Sequence, residues 1–289
     1  MLNGFLNVYK PVGMSSHQVV QEIRRITHHN QVGHAGTLDP MAEGVLPVAV
    51  GSYTRLLEWA NLKPKAYQAH IAFGEQTHSG DQAGYIIGES GAPYPNSAEI
   101  CRAIAWLEGT LLQFPPQVSA LKQNGRRAYD VVRRGQNTWL APRATVIHSI
   151  RLTAGEERSW SIELTVGPGT YIRAIARDLG FLLGHATTMQ SLVRTRVGAF
   201  RLEDARRLED FRRRDPWEKF LLRNTSTLTI PVAPVTACTV RELIHGKTSA
   251  IPSFKGFHGI MGLTYGGEIV AVIEGPPWRL RKVLAHDVD

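Results

Sequence analysis

Apolar residues recur at two spacings along the chain, and each spacing predicts one kind of element. A period of two, or a short continuous apolar run, predicts strands over residues 5–9, 45–50, 67–73, 146–152 and 160–166. Recurrence every three or four residues predicts helices over residues 15–26, 96–111 and 172–183. These elements alternate without the regular spacing of βαβ units, so the sequence predicts an α+β fold with a mixed central sheet.

Polar residues between these elements predict how they begin and end. Asn96 with Glu99 three residues later forms a possible capping box at the start of the second helix. Residues 154–159 read as the polar turn that joins two neighbouring strands. Residues 75–84 are polar and rich in turn formers, so they are predicted as a loop after the strand that ends at Phe73.

The composition changes after residue 200. Residues 203–223 are dense in charged side chains and are the candidate boundary region. Residues 231–289 contain short β-like pieces such as 269–273 among many glycines and prolines, and about 60 residues are enough for a small β-rich module. The sequence therefore predicts a larger domain over residues 1–230 and a smaller domain over residues 231–289.

Positive charge is concentrated in the middle of the chain. The formal net charge is +8, and residues 120–214 hold 18 Lys and Arg against 9 Asp and Glu, with arginine dominant. This part includes the basic segment Lys122–Arg134. Because arginine pairs with phosphates and stacks on bases, RNA or DNA is the leading class of partner. The alternative is a solvated basic surface on an ordinary soluble protein.

Several classes of protein are disfavoured by what the sequence lacks. No apolar run reaches the roughly 18 residues of a membrane span, and the N-terminus does not read as a secretory signal. The two cysteines, Cys101 and Cys238, lie far apart, so neither a disulfide framework nor a zinc site is expected. Phosphate-binding, dinucleotide-binding and serine-hydrolase motifs are absent as well. We therefore expect a cytoplasmic protein that uses no cofactor and no metal.

The stretch Gly33–Pro40 is the candidate centre of the chemistry. Glycines at 33 and 36 allow backbone conformations closed to other residues, and a buried strand over residues 45–50 follows. Asp39 therefore sits on a tight loop held by core structure, which is a common location for a reactive group. The alternative is that Asp39 caps a short helix, with Pro40 at its first position.

Two other residues could complete a site around Asp39. Arg173 lies on the first turn of a predicted helix after a glycine-flanked loop, where it could hold a carboxylate ionised and aimed. Tyr67 opens a strand and could stack on a base or accept a proton. The plainer interpretations are a core aromatic for Tyr67 and a surface helix arginine for Arg173.

The segment Gly33–Pro40, followed by Gly44–Pro47, resembles the central motif of the TruB family of tRNA pseudouridine synthases. Further matches follow in order: Gly4–Asn7 with Lys10 and Pro11, Lys65 with Tyr67, Thr77 with Asp81 and Gly84, Pro115 and Pro116 with Ser119–Lys122, Gly169–Arg173 with Asp178–Gly180, and Leu192 and Arg194 with Gly198 and Phe200. The resemblance spans residues 4–200.

The resemblance implies a pseudouridine synthase fold that holds tRNA in a central cleft and converts the T-loop uridine, position 55, to pseudouridine. It implies that Asp39 is the catalytic aspartate, that Tyr67 stacks on the flipped base and that Arg173 pairs with the aspartate. Such a base must leave its folded loop before chemistry, which costs about a few kcal/mol and calls for stacking and wedging residues.

The resemblance also implies residues that bind the substrate. His34 matches a residue that helps to hold the T loop open, and Tyr171 and Leu192 match residues that line the uracil pocket. Residues 231–289, with the match at Val240–Lys247, resemble the small PUA-like domain of bacterial members, which implies further contact with tRNA. We expect a monomer whose partner is the tRNA T stem-loop.

This sequence departs from the family pattern at four positions, Gln18, His78, Ser79 and Val118, none of which is Asp39, Tyr67 or Arg173. Three functions remain distinguishable. The leading one is a stand-alone tRNA pseudouridine-55 synthase. The second is a tRNA folding chaperone that opens the elbow, and the third is a guide-RNA-dependent enzyme in a larger particle.

Overall fold

The computed structural model describes residues 3–117, 122–123, 126–127, 140–212, 216–252, 254 and 256–284, with backbone alone at 122–123 and 126–127. The helices of this part are α1 (Ser16–Thr27), α2 (Ser97–Leu107), α3 (Ile172–Leu183) and α4 (Ala237–Ile244). The strands are β1 (Gly4–Lys10), β2 (Val32–His34), β3 (Glu43–Val50), β4 (Lys65–Phe73), β5 (Glu75–Thr77), β6 (Ile86–Glu89), β7 (Gly109–Gln113), β8 (Lys122–Gln123), β9 (Arg126–Arg127), β10 (Arg143–Glu156), β11 (Ser159–Val166), β12 (Thr187–Val197), β13 (Phe200–Arg201), β14 (Val232–Pro234), β15 (Gly259–Tyr265), β16 (Glu268–Gly275) and β17 (Arg279–Val283).

A nine-stranded mixed sheet forms the centre of the larger part. Seven strands follow the order β1-β3-β12-β4-β11-β10-β7, while β2 pairs with β3 and β13 with β12. Strands β3 and β12 run parallel, and the other described pairs of this sheet run antiparallel. The predicted α+β fold with a mixed sheet is confirmed.

Helices α2 and α3 cover one face of this sheet. Ile100 of α2 and Ile175 and Leu179 of α3 are buried in one apolar cluster with Ile71 and Phe73 of β4. Asn96 and Glu99 form the predicted capping box, in which each side chain accepts a hydrogen bond from the other residue's backbone N–H. The apolar stripes of the two helices therefore bury this face of the sheet.

The charged stretch predicted as a boundary region packs on the sheet. Phe5 of β1 exchanges two backbone hydrogen bonds with Leu222, and the backbone N–H of Tyr9 donates to the carbonyl of Arg206. Phe211 is buried in the cluster that α1 forms with β1 and β3. These contacts fasten the stretch to β1.

The C-terminal part has a sheet of its own, with the order β14-β15-β16-β17. Val240 and Leu243 of α4 are buried in one apolar cluster with Leu263 of β15 and Ile273 of β16. Val272 contributes instead to a cluster with core residues of the larger part. The β-rich character predicted for residues 231–289 is confirmed, and the division at residue 230 stays a prediction.

Several details of the predicted elements are wrong. The turn expected over residues 154–159 is shorter, because β10 continues to Glu156 and β11 begins at Ser159. A bulge between Ile147 and Ser149 shifts the alternation, so Ile147 is buried and His148 is exposed. The loop predicted over residues 75–84 begins with a strand, β5, which pairs with β6.

Part of the basic segment lies outside the described residues. For Lys122–Gln123 and Arg126–Arg127 the backbone forms the short antiparallel pair β8 and β9, and residues 118–121, 124–125 and 128–139 are not described. In the described part of the chain, no helix is long and apolar enough to cross a membrane.

Candidate active site

A cleft of about 280 Å³ opens where β4 and β12 meet the first turn of α3 and the loop before β3. Its walls are Thr37, Leu38, Asp39, Lys65, Tyr67, Gly169, Thr170, Tyr171, Ile172, Arg173 and Leu192. Five of the six predicted site residues therefore share one cleft, although they come from four separate parts of the chain. The sixth, His34, is not among the walls.

Asp39 stands at the head of a hydrogen-bonded turn. The carbonyl of Asp39 accepts from the backbone N–H of Ala42 at 3.1 Å, and no helix begins at Pro40. The helix-cap interpretation is therefore wrong for this loop. The side chain of Asp39 is 40% exposed, so its carboxylate is open to the cleft while its backbone is held.

Two buried cations hold the backbone of this loop. The Arg194 guanidinium, fully buried, donates to the carbonyl of Gly36 at 2.9 Å and to that of Val45 at 2.8 Å. The Lys10 ammonium, equally buried, donates to the carbonyls of Pro11 and Met14 at 2.8 and 2.6 Å, and to Pro40 at 3.4 Å. Because each cation spans backbone on both sides of a turn, the pair fixes the chain before and after Asp39.

The loop is also closed against α1. The Ser16 hydroxyl donates to the carbonyl of Leu38 at 3.1 Å and accepts from its N–H at 2.8 Å. Gly36 has a φ of +76° and Gly44 a φ of +103°, where a Cβ on Gly44 would lie 2.3 Å from the carbonyl oxygen of Arg194. Gly33 lies in β2 and has no positive φ. Of the two glycines singled out from the sequence, only Gly36 has the left-handed backbone conformation, which Gly44 also adopts.

Arg173 joins two carboxylates. Its guanidinium lies 2.9 Å from Asp39 Oδ2 and 3.6 Å from Asp81 Oδ2, and it donates to the carbonyl of Ser79 at 2.7 Å. The Arg173 side chain is only 6% exposed. The structure therefore pairs Arg173 with Asp39. That this buried guanidinium keeps the carboxylate ionised and aimed into the cleft stays a prediction.

Asp81 is a residue of the site to which the sequence alone assigns no function. The residue is buried and is fixed by the Ser79 hydroxyl, which donates to Asp81 Oδ1 at 2.8 Å, and by the N–H of Ala83 at 3.0 Å. The hairpin of β5 and β6 carries this loop under α3. Its position against Arg173 identifies Asp81 as a positioning residue for the Asp39–Arg173 pair.

Tyr67 and Leu192 form the apolar wall of the cleft. Tyr67 lies on β4 directly opposite Arg194 of β12, and Leu192 lies opposite Ala69. Both side chains are buried except for the part that faces the cleft. An aromatic ring beside an aliphatic side chain offers a flat surface on which a planar base can stack.

Tyr171 is held through its backbone. Gln113 at the end of β7 accepts from the Tyr171 N–H at 2.8 Å and donates to its carbonyl at 3.1 Å. This pair fixes the entry to α3, and with it the side chain of Arg173 two residues later. Among the described residues, no group of three or more His, Cys, Asp or Glu side chains is placed to hold a metal ion.

His34 lies on β2, outside the cleft. Burial, together with the charges of Arg194 and His17, lowers the pKa of His34 below its usual value. In the described part of the structure, its buried Nδ1 has no hydrogen-bond partner. The imidazole is therefore neutral at pH 7 and stands beside the loop that carries Asp39.

Removal of the Lys10 ammonium is expected to destabilise this loop. Burial lowers the pKa of Lys10 to about 8. Lys10→Met should leave the carbonyls of Pro11 and Met14 without a donor and cost about 2–4 kcal/mol of unfolding free energy at pH 7. The measurement is urea unfolding, and the exposed Lys63→Met is the control, expected to change stability by less than about 0.5 kcal/mol.

The pH dependence of the unfolding free energy of the same variant provides a second test, and its direction follows from the pKa of Lys10. Unfolded lysine keeps its proton up to pH 10.5, whereas folded Lys10 loses it near pH 8, so the unfolded state binds more protons between these values. The wild-type protein should therefore gain stability relative to Lys10→Met as pH rises from 8 to 10.5, by about 3 kcal/mol at most. A difference that stays constant or shrinks over this range would show that Lys10 is not desolvated.

Comparison with known proteins shows which family the chain resembles. A family model described as TruB family pseudouridylate synthase (N terminal domain) matches residues 24–172. The chain is 42% identical to tRNA pseudouridine synthase B of Moorella thermoacetica, over 73% of this chain and 70% of that protein. It is 36% identical to tRNA pseudouridine synthase B of Thermobifida fusca, over 95% of both chains.

Solved structures share the fold. A chain from the crystal structure of a Cbf5-Nop10-Gar1 complex superimposes with a TM-score of 0.67 at 24% identity, over 94% of this chain and 78% of that chain. From the family match, the relatives and the cleft together, we conclude that the chain belongs to the TruB family of pseudouridylate synthases.

Proposed function

We propose that this protein is a stand-alone tRNA pseudouridine-55 synthase in which Asp39 is the nucleophile. The observation that carries the proposal is the Asp39–Arg173 ion pair at 2.9 Å in a cleft walled by Tyr67 and Leu192. The relatives named tRNA pseudouridine synthase B support tRNA as the substrate. The basic middle of the chain supports an RNA partner independently.

The reaction requires few groups beyond those in the cleft. The bond between uracil N1 and the ribose C1′ breaks, the base turns, and a bond forms between C5 and C1′, while N1 gains a proton and C5 loses one. No oxidation or phosphate cleavage takes place. An ionised carboxylate held by a buried guanidinium can attack the target nucleotide and leave again when the new bond has formed.

The cleft suits one extruded nucleotide. At about 280 Å³ it lies at the small end of clefts that bind one ligand molecule, so it has room for one nucleotide and not for a folded RNA loop. The target uridine must therefore leave the T loop, and the Tyr67 ring then replaces the stacking that it loses. His34 lies on β2 outside the cleft. We expect its side chain to fill the space that the flipped uridine vacates in the loop.

The experiment that tests this proposal compares two small RNAs. The purified chain, with no added protein or guide RNA, should convert one uridine in a T-arm stem-loop and none in an anticodon stem-loop rich in uridine. Equal conversion of the two RNAs would refute the T-loop assignment. Dependence on a second RNA would instead favour an enzyme that works within a larger particle.

The alternative is an elbow-binding tRNA folding chaperone whose modification activity is secondary. The basic segment favours tight RNA binding, which a chaperone also requires. Refolding of a misfolded tRNA transcript by the Asp39→Asn variant, at the wild-type rate and without modification, would favour the chaperone. Both activities can belong to one protein, and the growth of cells that carry only Asp39→Asn decides which one the cell requires.

Arginines of the basic segment are expected to bind phosphates of the tRNA. Changing Arg126, Arg127, Arg133 and Arg134 to Ala should weaken tRNA binding and flatten its dependence on salt, by about 0.7–0.9 in the log–log slope for each arginine that binds a phosphate. Filter binding across a salt series measures this slope. Arg25→Ala and Arg201→Ala, exposed residues outside the segment, are the matched controls. An unchanged slope in the quadruple variant would place the RNA footprint elsewhere.

A further inference from the structure

Lys65 is a cation in the wall of the cleft to which the described residues supply no ion-pair partner. It lies on β4 two positions before Tyr67, so the two side chains share a face of the sheet, and both line the cleft. The acidic side chain nearest in the cleft, Asp39, is engaged by Arg173. Among the ion pairs of the described residues, none includes Lys65.

The surroundings of Lys65 are positive. Arg194 faces it from β12, and Lys63 precedes it on the approach to β4; together with burial, which is the largest cause, they lower the pKa of Lys65 to about 8. Arg173 contributes a third positive charge from α3. The Asp39 carboxylate and the hydroxyls of Tyr67 and Tyr171 are the remaining titratable groups of the cleft.

The Lys65 ammonium also lies against the loop that carries Asp39. A Cβ built on Gly36 would be 3.2 Å from Lys65 Nζ. Glycine at this position therefore leaves room for the ammonium beside the main chain, three residues before Asp39. A partly desolvated cation without a carboxylate partner is costly in an empty cleft, and an anion that enters with the substrate would offset that cost.

We propose that Lys65 is the phosphate-binding residue of the cleft and holds a backbone phosphate of the flipped uridine. This inference rests on the RNA substrate proposed above. An ammonium binds phosphate as a point charge, which suits a nucleotide that rotates into place during extrusion. The contact fixes the ribose between Asp39 and Tyr67, so Lys65 positions the sugar while Arg173 positions the carboxylate.

Kinetics on a T-arm stem-loop at pH 7 test the proposal with three variants. Lys65→Met should raise KM about 10- to 100-fold, as expected when a charge-assisted hydrogen bond is removed, while kcat changes by less than about threefold. Lys65→Arg keeps the charge and should remain within about fivefold of wild type in KM. Arg201→Ala removes an exposed positive charge outside the cleft and should leave both constants unchanged.

The pH profile separates a phosphate contact from a structural role. Wild-type Lys65 loses its proton as pH rises through about 8, whereas arginine stays charged. The ratio of kcat/KM for Lys65→Arg to that of wild type should therefore rise between about pH 7 and 9. This ratio cancels every other group that titrates in both proteins, Lys10 included. A ratio that is flat or falls over this range would overturn the proposal.

Binding provides a readout that does not depend on activity. In a salt series, Lys65→Met should bind the T-arm stem-loop with a log–log slope reduced by about 0.7–0.9, the value for one phosphate contact. An unchanged slope in a folded variant, judged by its thermal melting, would overturn the proposal, as would loss of kcat in Lys65→Arg with unchanged KM. Failure of the wild type to modify the RNA would refute the proposed function and leave this binding test intact.

Discussion

Asp39→Asn is expected to abolish pseudouridine formation, with a rate at least about 10⁴-fold below wild type. Removal of the nucleophile from an enzyme lowers its rate by about this factor or more. Asparagine has the same shape but offers no anionic oxygen. Its amide can still accept a hydrogen bond from Arg173, so the loop should keep its conformation. Single-turnover conversion of a T-arm stem-loop at saturating enzyme measures the chemical step without the contribution of binding.

RNA affinity serves as the internal check on this variant. Asp39→Asn should bind the stem-loop within about threefold of wild type, because the change removes a negative charge that does not attract RNA. Glu163→Gln, which removes a carboxylate paired with Arg151 outside the cleft, is the matched control and should retain full activity. Turnover by Asp39→Asn at more than a few per cent of the wild-type rate would reject Asp39 as the nucleophile.

Arg173→Met is expected to have the second largest effect, a rate loss of about 10³-fold or more together with lower stability. The change leaves Asp39 without its guanidinium and leaves buried Asp81 as an uncompensated charge. Removing one partner of a buried pair costs about 3–5 kcal/mol. Unfolding by urea and single-turnover kinetics at a temperature well below the transition separate the two effects.

A neighbouring arginine on the same helix provides the comparison. Arg177 lies one turn after Arg173, and its half-buried side chain pairs with Asp178 and donates to the carbonyl of Phe114, away from Asp39. Arg177→Met should cost about 1 kcal/mol or less and keep the rate within a fewfold of wild type. Equal rate losses in Arg173→Met and Arg177→Met would show that the damage is to the helix and not to the ion pair.

Elements with clear periodicity could be predicted from the sequence. Each of these patterns can be buried in only one way. The stripes of α2 and α3 and the alternation in β4 bury one face of the element, and the apolar run of β3 buries both faces. The bulge in β10 could not be foreseen, because the extra residue is fixed by pairing with β11 and not by local sequence. The course of residues 203–223 along β1 likewise depends on contacts that charge density does not reveal.

The residues of the site could be predicted where the resemblance gives a residue a role, and not where a buried cation only holds the backbone. Asp39, Tyr67, Tyr171, Arg173 and Leu192 were all assigned by resemblance, and the structure brings them into one cleft. Lys10, Lys65 and Arg194 carried no such assignment, because a lysine or arginine in a sequence most often indicates a solvated surface. Only the fold shows that Lys10 and Arg194 are fully buried against the loop that carries Asp39.

Asp81 is another residue whose role could not be predicted from the sequence. It stands in a polar, turn-rich stretch that predicts a loop, and the resemblance included it without a role. Its importance arises because β5 and β6 pair into a hairpin that delivers its carboxylate to the opposite side of Arg173. A signal was present in the spacing of Thr77 and Asp81, since the Thr77 hydroxyl donates to the Asp81 carbonyl at 2.7 Å and tightens that loop.

The most direct test of the central claim is to map pseudouridine in an unmodified tRNA transcript after incubation with the purified chain alone. Chemical tagging of pseudouridine followed by primer extension locates each modified position, and mass spectrometry of the digested RNA gives its amount. We predict one pseudouridine per tRNA, at the T-loop uridine of position 55, with wild type and none with Asp39→Asn. Absence of the modification with folded wild-type protein, or its appearance at another position, would contradict the proposal.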